Sequence, residues 1–201
     1  MDIKFFRKDA ITLARELLGK YLVRNYNGKK IITKIVETEA YMGIEDKAAH
    51  VFNDKKTERT KPLYEDGGTI YVYLIYGMYN CLNISANIEG IPQCVLIRAV
   101  EPVEGIDDIS VNRYSKNYEE LSSYQKKNIT NGPGKLCKAL NIDRNLNFKS
   151  ILGNELFIID NDILESIDIV EGKRINIDYA EEAKDYLWRF YIKDNKYISK
   201  K

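Results

Sequence analysis

The fold is decided by one stretch, Gly67-Gly-Thr-Ile-Tyr-Val-Tyr-Leu-Ile-Tyr-Gly-Met-Tyr-Asn-Cys-Leu-Asn83. Ile70–Ile75 is an unbroken run of β-branched, aromatic and aliphatic residues, which favours a strand. Gly77 interrupts this run and a second one starts at Tyr79. Because glycine tolerates positive φ in a tight turn, the stretch predicts a β-hairpin with Tyr76 beside its tip.

This hairpin is unusually rich in tyrosine, with Tyr71, Tyr73, Tyr76 and Tyr79 close together. One interpretation is a buried strand with amphipathic edges. The other is an aromatic surface on which flat rings stack, with one aromatic side chain at a protruding tip. The hairpin alone leaves both interpretations open.

The length of 201 residues and a hydrophobic content of 44% predict one domain, spanning residues 1–201, with a substantial core. No apolar run approaches the roughly 20 residues of a membrane span, and the N-terminus lacks a signal-peptide pattern. We therefore expect a cytoplasmic protein that does not associate with membranes.

The cysteine, histidine and charge content indicates which kinds of functional site the chain can form. Cys81, Cys94 and Cys137 lie in apolar surroundings without Cys-x-x-Cys spacing, which predicts buried thiols in a reducing compartment. His50 is the single histidine, so a histidine-rich metal site is excluded and we expect no metal. The formal net charge of +1 gives no global basic field, although it permits a local basic patch.

The N-terminal third predicts a helix followed by a hairpin. Asp9 can cap a helix over residues 10–18, and Tyr21–Tyr26 favours a strand. Asn27-Gly28 is a strong turn signal, and residues 29–39 form the return strand.

In a regular return strand Ile35, Glu37 and Glu39 share one face. The Glu39 carboxylate then projects from the apolar end of this strand, which makes it a candidate general base. The alternative is a solvated acid at a strand terminus.

One further predicted helix and one further predicted strand each carry a candidate site residue. Residues 44–52 predict a short helix with His50 near its end, where a histidine usually packs or caps. Residues 93–100 predict a strand with Arg98 in its interior, which requires an anionic or hydrogen-bonding partner. A structural salt bridge and a functional site both meet that requirement.

The C-terminal half is less regular. Residues 105–130 predict helix fragments and loop, and Gly132-Pro133-Gly134-Lys135 opens a helix whose free N–H groups could face a phosphate. Further strands are predicted at 156–160, 167–177 and 187–192, with a loop or short helix at 178–185.

Five motifs in one order resemble the alkyladenine (3-methyladenine) DNA glycosylase family, the type found in mammals and many bacteria. The resemblance covers residues 10–192. The motifs are Glu37-Thr-Glu-Ala-Tyr-Met-Gly43, Asp46-Lys-Ala-Ala-His50, Tyr71-Val-Tyr-Leu-Ile-Tyr-Gly-Met-Tyr79 with Asn83, Val95-Leu-Ile-Arg-Ala-Val-Glu-Pro102 and Asn131-Gly-Pro-Gly-Lys-Leu-Cys-Lys-Ala-Leu140.

The resemblance implies an α+β fold, a single mixed domain with a curved antiparallel β-sheet and flanking helices, similar to the C-terminal domain of methionyl-tRNA formyltransferase. It also implies a monomer that excises alkylated or deaminated purines from double-stranded DNA by hydrolysing the N-glycosidic bond, without metal or cofactor. In a bacterium such an enzyme would associate with the nucleoid.

By motif match the resemblance also implies site roles. Glu39 activates water and Arg98 helps to hold the site, while the flipped base meets the side chains Tyr41, His50, Tyr73 and Asn83. Tyr76 enters the minor groove, and the further DNA contacts are expected at Tyr71, Met78, Tyr79 and Lys135.

The chain departs from the family pattern in two places. Glu65-Asp66-Gly67-Gly68 stands where relatives usually carry Pro-Gly, which brings two acids close to the DNA side. Arg174-Ile-Asn-Ile177 replaces a strand that usually contains glycine.

The resemblance also bears on the hairpin loop. It places Tyr73 and Asn83 at the flipped base, which favours a three-residue loop, 77–79, that pairs them directly. A two-residue loop, Gly77-Met78, would pair Tyr73 with Leu82 instead.

The alternative function is that of a non-catalytic module, which binds damaged or single-stranded nucleic acid through its tyrosines.

Overall fold

The computed structural model describes residues 1–161 and 167–200, which form five α-helices and eight β-strands. The helices are α1 (Ile3–Phe6), α2 (Ala10–Glu16), α3 (Ile106–Tyr114), α4 (Ser123–Lys127) and α5 (Pro133–Ala139). The strands are β1 (Tyr21–Tyr26), β2 (Lys29–Tyr41), β3 (Ile70–Ile75), β4 (Tyr79–Ala86), β5 (Gln93–Glu104), β6 (Leu156–Ile159), β7 (Ile169–Gly172) and β8 (Arg189–Ile192). Short 3₁₀ helices lie at Phe52–Asp54, Lys61–Tyr64, Tyr118–Glu120, Arg144–Leu146 and Glu181–Asp185.

All eight strands belong to one antiparallel sheet, which confirms the predicted α+β fold. Six strands follow the order β3-β4-β5-β2-β1-β6, and β8 pairs with both β2 and β7. Strand β2 is the centre of the sheet because it pairs with β1, β5 and β8 along its length. The similarity to the formyltransferase domain stays a prediction.

The core lies between the sheet and helices α2, α3 and α5. Asp9 caps α2 as predicted, since its carboxylate accepts a hydrogen bond from Thr12 N at 3.0 Å. The three cysteines are buried and form no disulfide, as predicted. None of the helices in residues 1–161 and 167–200 is both long and apolar enough to cross a membrane.

Ile35 does not share a face with Glu37 and Glu39. The prediction that it would assumed a regular strand, and β2 is irregular. The pairing with β5 skips Val36, and both Ile35 and Val36 reach the hydrophobic core. A residue inserted in this way is a β-bulge, and it reverses the face on which later side chains point. Glu37 and Glu39 are therefore placed on the face opposite the core.

The hairpin between β3 and β4 has a different register from both registers considered above. Tyr73 pairs with Cys81 and Tyr71 with Asn83, around a three-residue loop formed by residues 76–78. The expected loop, 77–79, was wrong by one residue because Tyr76 itself adopts the left-handed conformation, with φ of 52°. Asn83 and Tyr73 still share a face, because their strand positions differ by two.

The helix predicted at residues 44–52 is wrong, because this segment is a series of turns ending in the 3₁₀ helix Phe52–Asp54. The Asp46 carboxylate accepts hydrogen bonds from Met42 N and Ala48 N, and it pairs with buried Arg174 at 2.5 Å. A partner 128 residues away therefore fixes the turns.

The strand predicted at 167–177 is shorter than expected, since β7 ends at Gly172. Beyond it, Arg174 turns inward to Asp46, and Asn176 adopts a left-handed φ of 61°. Helix fragments at 105–130 are confirmed by α3 and α4.

Candidate active site

A cavity of about 630 Å³ opens on the sheet face opposite the core. Its wall on the hairpin side is formed by residues that share one face of β3 and β4, namely Tyr71, Tyr73, Cys81 and Asn83. Most of the remaining lining comes from β2, β5, the hairpin tip, the turns after Gly43, the start of α5 and the segment that begins at Ile175. The cavity therefore brings together segments from nearly the whole chain.

Glu39 lies behind this cavity wall and has no exposed surface. Its Oε1 accepts hydrogen bonds from Ile175 N at 2.8 Å and lies 3.2 Å from Arg98 Nη1, while its Oε2 accepts from the Tyr41 hydroxyl at 2.9 Å. These three neighbours line the cavity, whereas Glu39 itself does not. The carboxylate is thus fixed by three donors next to the cavity.

Arg98 is held by two carboxylates. Its Nη1 faces Glu39, and its Nε lies 3.6 Å from Oε1 of Glu37. Burial opposes the charge of Arg98, but Glu39 and Glu37 outweigh that effect and raise the pKa of the guanidinium. Arg98 therefore has both a structural salt bridge and a place at the cavity, the two possibilities that the sequence left open.

Sequence reasoning assigned no role to Glu37, although it lies in the first motif. Glu37 is fully buried and accepts hydrogen bonds from Arg189 Nη1, Ser199 N and Ser199 Oγ at 2.6–2.9 Å. It therefore links the Arg98 side chain to strand β8 and to the C-terminal residues. A second acid two positions before Glu39 was the available signal.

Aromatic rings form two walls of the cavity. Tyr41 packs under the guanidinium of Arg174, whose central carbon lies 4.8 Å from the ring centroid. Burial and the Glu39 carboxylate raise the pKa of Tyr41 well above its usual value, so its hydroxyl stays protonated and donates to Glu39. The rings of Tyr73 and His50 pack nearly perpendicular to each other, with centroids 4.6 Å apart.

The His50 side chain has a defined tautomer. Arg59 can only donate, and its Nη2 lies 3.3 Å from His50 Nε2, so Nε2 is the acceptor. Nδ1 then carries the proton and donates to the Tyr71 hydroxyl at 3.0 Å. Burial, followed by the charges of Arg59 and Lys55, lowers the pKa of His50 to about 4.

Asn83 and Tyr71 are buried parts of the cavity wall. The Asn83 Nδ2 donates to the carbonyl oxygens of Tyr71 and Cys81, each at 3.3 Å. Its amide is therefore oriented by backbone on both sides. Tyr71 was expected to contact DNA, but the structure places it in the wall with only 1% of its surface exposed.

The hairpin tip presents exposed side chains at the mouth of the cavity. Tyr76 is 74% exposed, and Met78 and Tyr79 are exposed beside it. Tyr76 and Tyr79 also line the cavity. These positions agree with an aromatic side chain at a protruding tip.

Lys135 lines the cavity from the start of α5, where its Nζ donates to Asn128 Oδ1 and Asn131 Oδ1 at 2.7 and 2.8 Å. Burial and the charge of Arg113 lower its pKa. Of the two acids noted near the DNA side, Asp66 is paired with Arg7 at 2.6 Å, and neither it nor Glu65 lines the cavity.

Comparison with known proteins identifies relatives over nearly the full length. A family model described as methylpurine-DNA glycosylase matches residues 4–196. A protein of Clostridioides difficile named "Putative 3-methyladenine DNA glycosylase" is 67% identical, covering 96% of this chain and all of the relative. Proteins with the same name are 59% identical in Clostridium novyi, covering 100% of this chain and 98% of the relative, and 50% identical in Desulfitobacterium hafniense, covering 98% and 97%.

Proposed function

This chain belongs to the methylpurine-DNA glycosylase family, and we propose on that premise that it excises alkylated or deaminated purines from duplex DNA. The reaction is hydrolysis of the N-glycosidic bond by water, which leaves an abasic site. The observation that carries this proposal is a buried, triply held carboxylate at the wall of an aromatic cavity. A surface that only stacks bases needs no such carboxylate.

The cavity is suited to an extruded purine. A base inside the duplex shields its own glycosidic bond, so the nucleotide must rotate out at a cost of roughly a few kcal/mol. Tyr41, Tyr73 and His50 offer flat faces and edges to the extruded base. A purine alkylated at N3 or N7 is cationic, and stacking on tyrosine then gains a cation–π contribution of about 0.5–2 kcal/mol.

Glu39 acts as the general base. The water oxygen attacks C1′ while the bond from C1′ to the purine nitrogen breaks. The bonding electron pair leaves with the purine, and a proton of the water passes to Glu39. A cationic purine is a good leaving group, so one carboxylate suffices, as in the base half of an inverting glycosidase.

The free structure places Tyr41 and Arg98 between the cavity and Glu39. We therefore place the reactive water beside these two groups, with its contact to Glu39 completed when the nucleotide enters. Catalytic hydrogen bonds commonly tighten only in the substrate complex. Arg98 keeps Glu39 paired and oriented during this step. The carboxylates of Glu39 and Glu37 together offset the positive charge of the buried guanidinium.

The hairpin tip inserts into the duplex. Tyr76 fills the space left by the extruded nucleotide, because a flat, stiff and exposed side chain can replace the lost stacking. Met78 and Tyr79 contact the neighbouring groove surface, and Lys135 lies where a backbone phosphate would pass the cavity.

The test is formation of abasic sites in duplex DNA that contains 1,N6-ethenoadenine or hypoxanthine, detected as alkali-induced strand breaks on a gel. An enzyme of this class converts the damaged strand and leaves an undamaged duplex intact. Tight binding of the damaged duplex without any abasic product would support the non-catalytic module instead.

A further inference from the structure

Asn176 is a polar residue of the cavity that neither the motifs nor the mechanism use. It is exposed, lines the cavity, and follows Ile175, whose N–H donates to Glu39. Throughout residues 1–161 and 167–200, no group forms a hydrogen bond with its side-chain amide. A free amide therefore stands one residue from the anchor of the proposed base.

The backbone explains only part of this choice. Asn176 has a left-handed φ of 61°, a conformation that glycine and asparagine adopt more readily than other residues. Glycine would satisfy the backbone equally well, and the family pattern noted above usually has glycine in this strand. The backbone requirement therefore does not account for an exposed amide side chain in the lining of the cavity.

The position of Glu39 indicates what this amide meets. Water activated by Glu39 attacks C1′, so the deoxyribose of the extruded nucleotide must lie near the Ile175 N–H that holds Glu39. The exposed residue next to Ile175 is then at the level of the sugar's flanking phosphates, farther out than the base. The amide nitrogen is a donor and can hydrogen-bond to a phosphate oxygen.

We infer that Asn176 binds a phosphate next to the extruded nucleotide through Nδ2, and this inference rests on the proposed function. The contact is local, because the next residues do not reinforce it: Ile177 is buried and apolar, and Asp178 is an exposed acid. Asn176 thus contributes binding of the sugar–phosphate backbone that a glycine at this position cannot supply.

Two substitutions separate the amide from the backbone conformation. Asn176→Gly keeps access to positive φ and removes the amide, whereas Asn176→Asp keeps the shape and replaces the donor with a negative charge. The probe is a duplex with a tetrahydrofuran abasic-site analogue, which retains the phosphates and has no base. Affinity is measured by fluorescence anisotropy at low and high salt, with thermal melting to verify folding.

We expect Asn176→Gly to bind the probe at least about tenfold more weakly than the wild type, since it loses one hydrogen bond to a charged group. Asn176→Asp should bind more weakly still, and high salt should narrow its difference from Asn176→Gly. Wild-type affinity for both variants would overturn the inference. Base release by the wild type is measured separately, so an inactive wild type would refute the proposed function without deciding the phosphate contact.

Discussion

Arg98 Nη1 lies 3.2 Å from Glu39 Oε1, and both side chains are almost entirely buried. The same guanidinium faces Glu37 through its Nε. One arginine thus contacts two acids on strand β2, which the bulge at Val36 turns away from the core. This relationship joins the stability of the sheet to the orientation of the proposed base.

Arg98→Lys tests that relationship. A lysine ammonium is a point charge that cannot present a planar fork to two carboxylates, so Glu39 or Glu37 loses its contact with this side chain. We expect the free energy of unfolding to fall by about 1–3 kcal/mol, and base release by the folded variant to fall by about tenfold. Urea denaturation and single-turnover kinetics measure the two effects. Wild-type values for both would show that Arg98 does not hold Glu39.

Asn83→Ser tests selectivity among purines. The Asn83 amide is held by two backbone carbonyls and cannot swing away from a bulky substituent. We expect it to obstruct the 2-amino group of guanine, so the smaller serine should raise excision of guanine lesions relative to adenine lesions. Competition between duplexes with 7-methylguanine and 1,N6-ethenoadenine gives this ratio directly. An unchanged ratio would place discrimination elsewhere in the cavity.

Tyr76→Ser tests the hairpin tip. If Tyr76 replaces lost stacking, the variant should lose most activity on a lesion in a matched duplex and least on a lesion in a bulge, where stacking is already weak. Single-turnover excision from matched, mismatched and bulged duplexes measures the three losses. Tyr124→Ser is the matched control, because Tyr124 on α4 is 76% exposed and does not line the cavity. Equal losses for Tyr76→Ser on all three duplexes would reject the wedge.

His50 predicts a specific dependence of stability on pH. Its pKa is lowered from 6.5 to about 4, so the folded protein resists a proton that the unfolded chain takes up. As pH falls from about 6.5 towards 4, protonation of His50 in the unfolded chain therefore stabilises the unfolded state relative to the folded one. Through His50 alone, the free energy of unfolding should fall by about 2 kcal/mol by pH 4.5.

His50→Gln isolates that contribution, because it removes the titrating ring while all carboxylates remain. Urea denaturation at pH 7.0 and pH 4.5 should show a smaller pH-induced loss for His50→Gln than for the wild type. The same loss in both proteins would mean that His50 is not held neutral by its surroundings.

Local sequence patterns predicted where strands begin and end better than they predicted how the strands pair and which face each side chain occupies. Strands Tyr21–Tyr26 and Ile70–Ile75 were predicted with their observed bounds, because the turn signals Asn27-Gly28 and Gly77 follow them closely. The motif residues Glu39, Tyr41, Tyr73 and Arg98 do meet at one place.

The errors come from contacts between distant segments and from irregular backbone geometry. The bulge at Val36 and the left-handed Tyr76 have no local sequence signal, yet they decide which face carries the acids and which residues pair in the hairpin. The turns around Asp46 depend on Arg174, which is remote in sequence. Sequence reasoning assigned Ile175 and Asn176 no role for the same reason, since only a tertiary contact, from Ile175 N to Glu39, brings this segment to the site.

Glu39→Gln is the measurement that tests the central claim most directly. Glutamine has the size of glutamate but cannot take a proton from water, so the variant should keep its affinity for a duplex with an abasic-site analogue while base release falls at least about a hundredfold. Single-turnover excision of 1,N6-ethenoadenine, with melting temperature as the control for folding, gives the result. Base release by folded Glu39→Gln within tenfold of the wild type would contradict the assignment of Glu39 as the base.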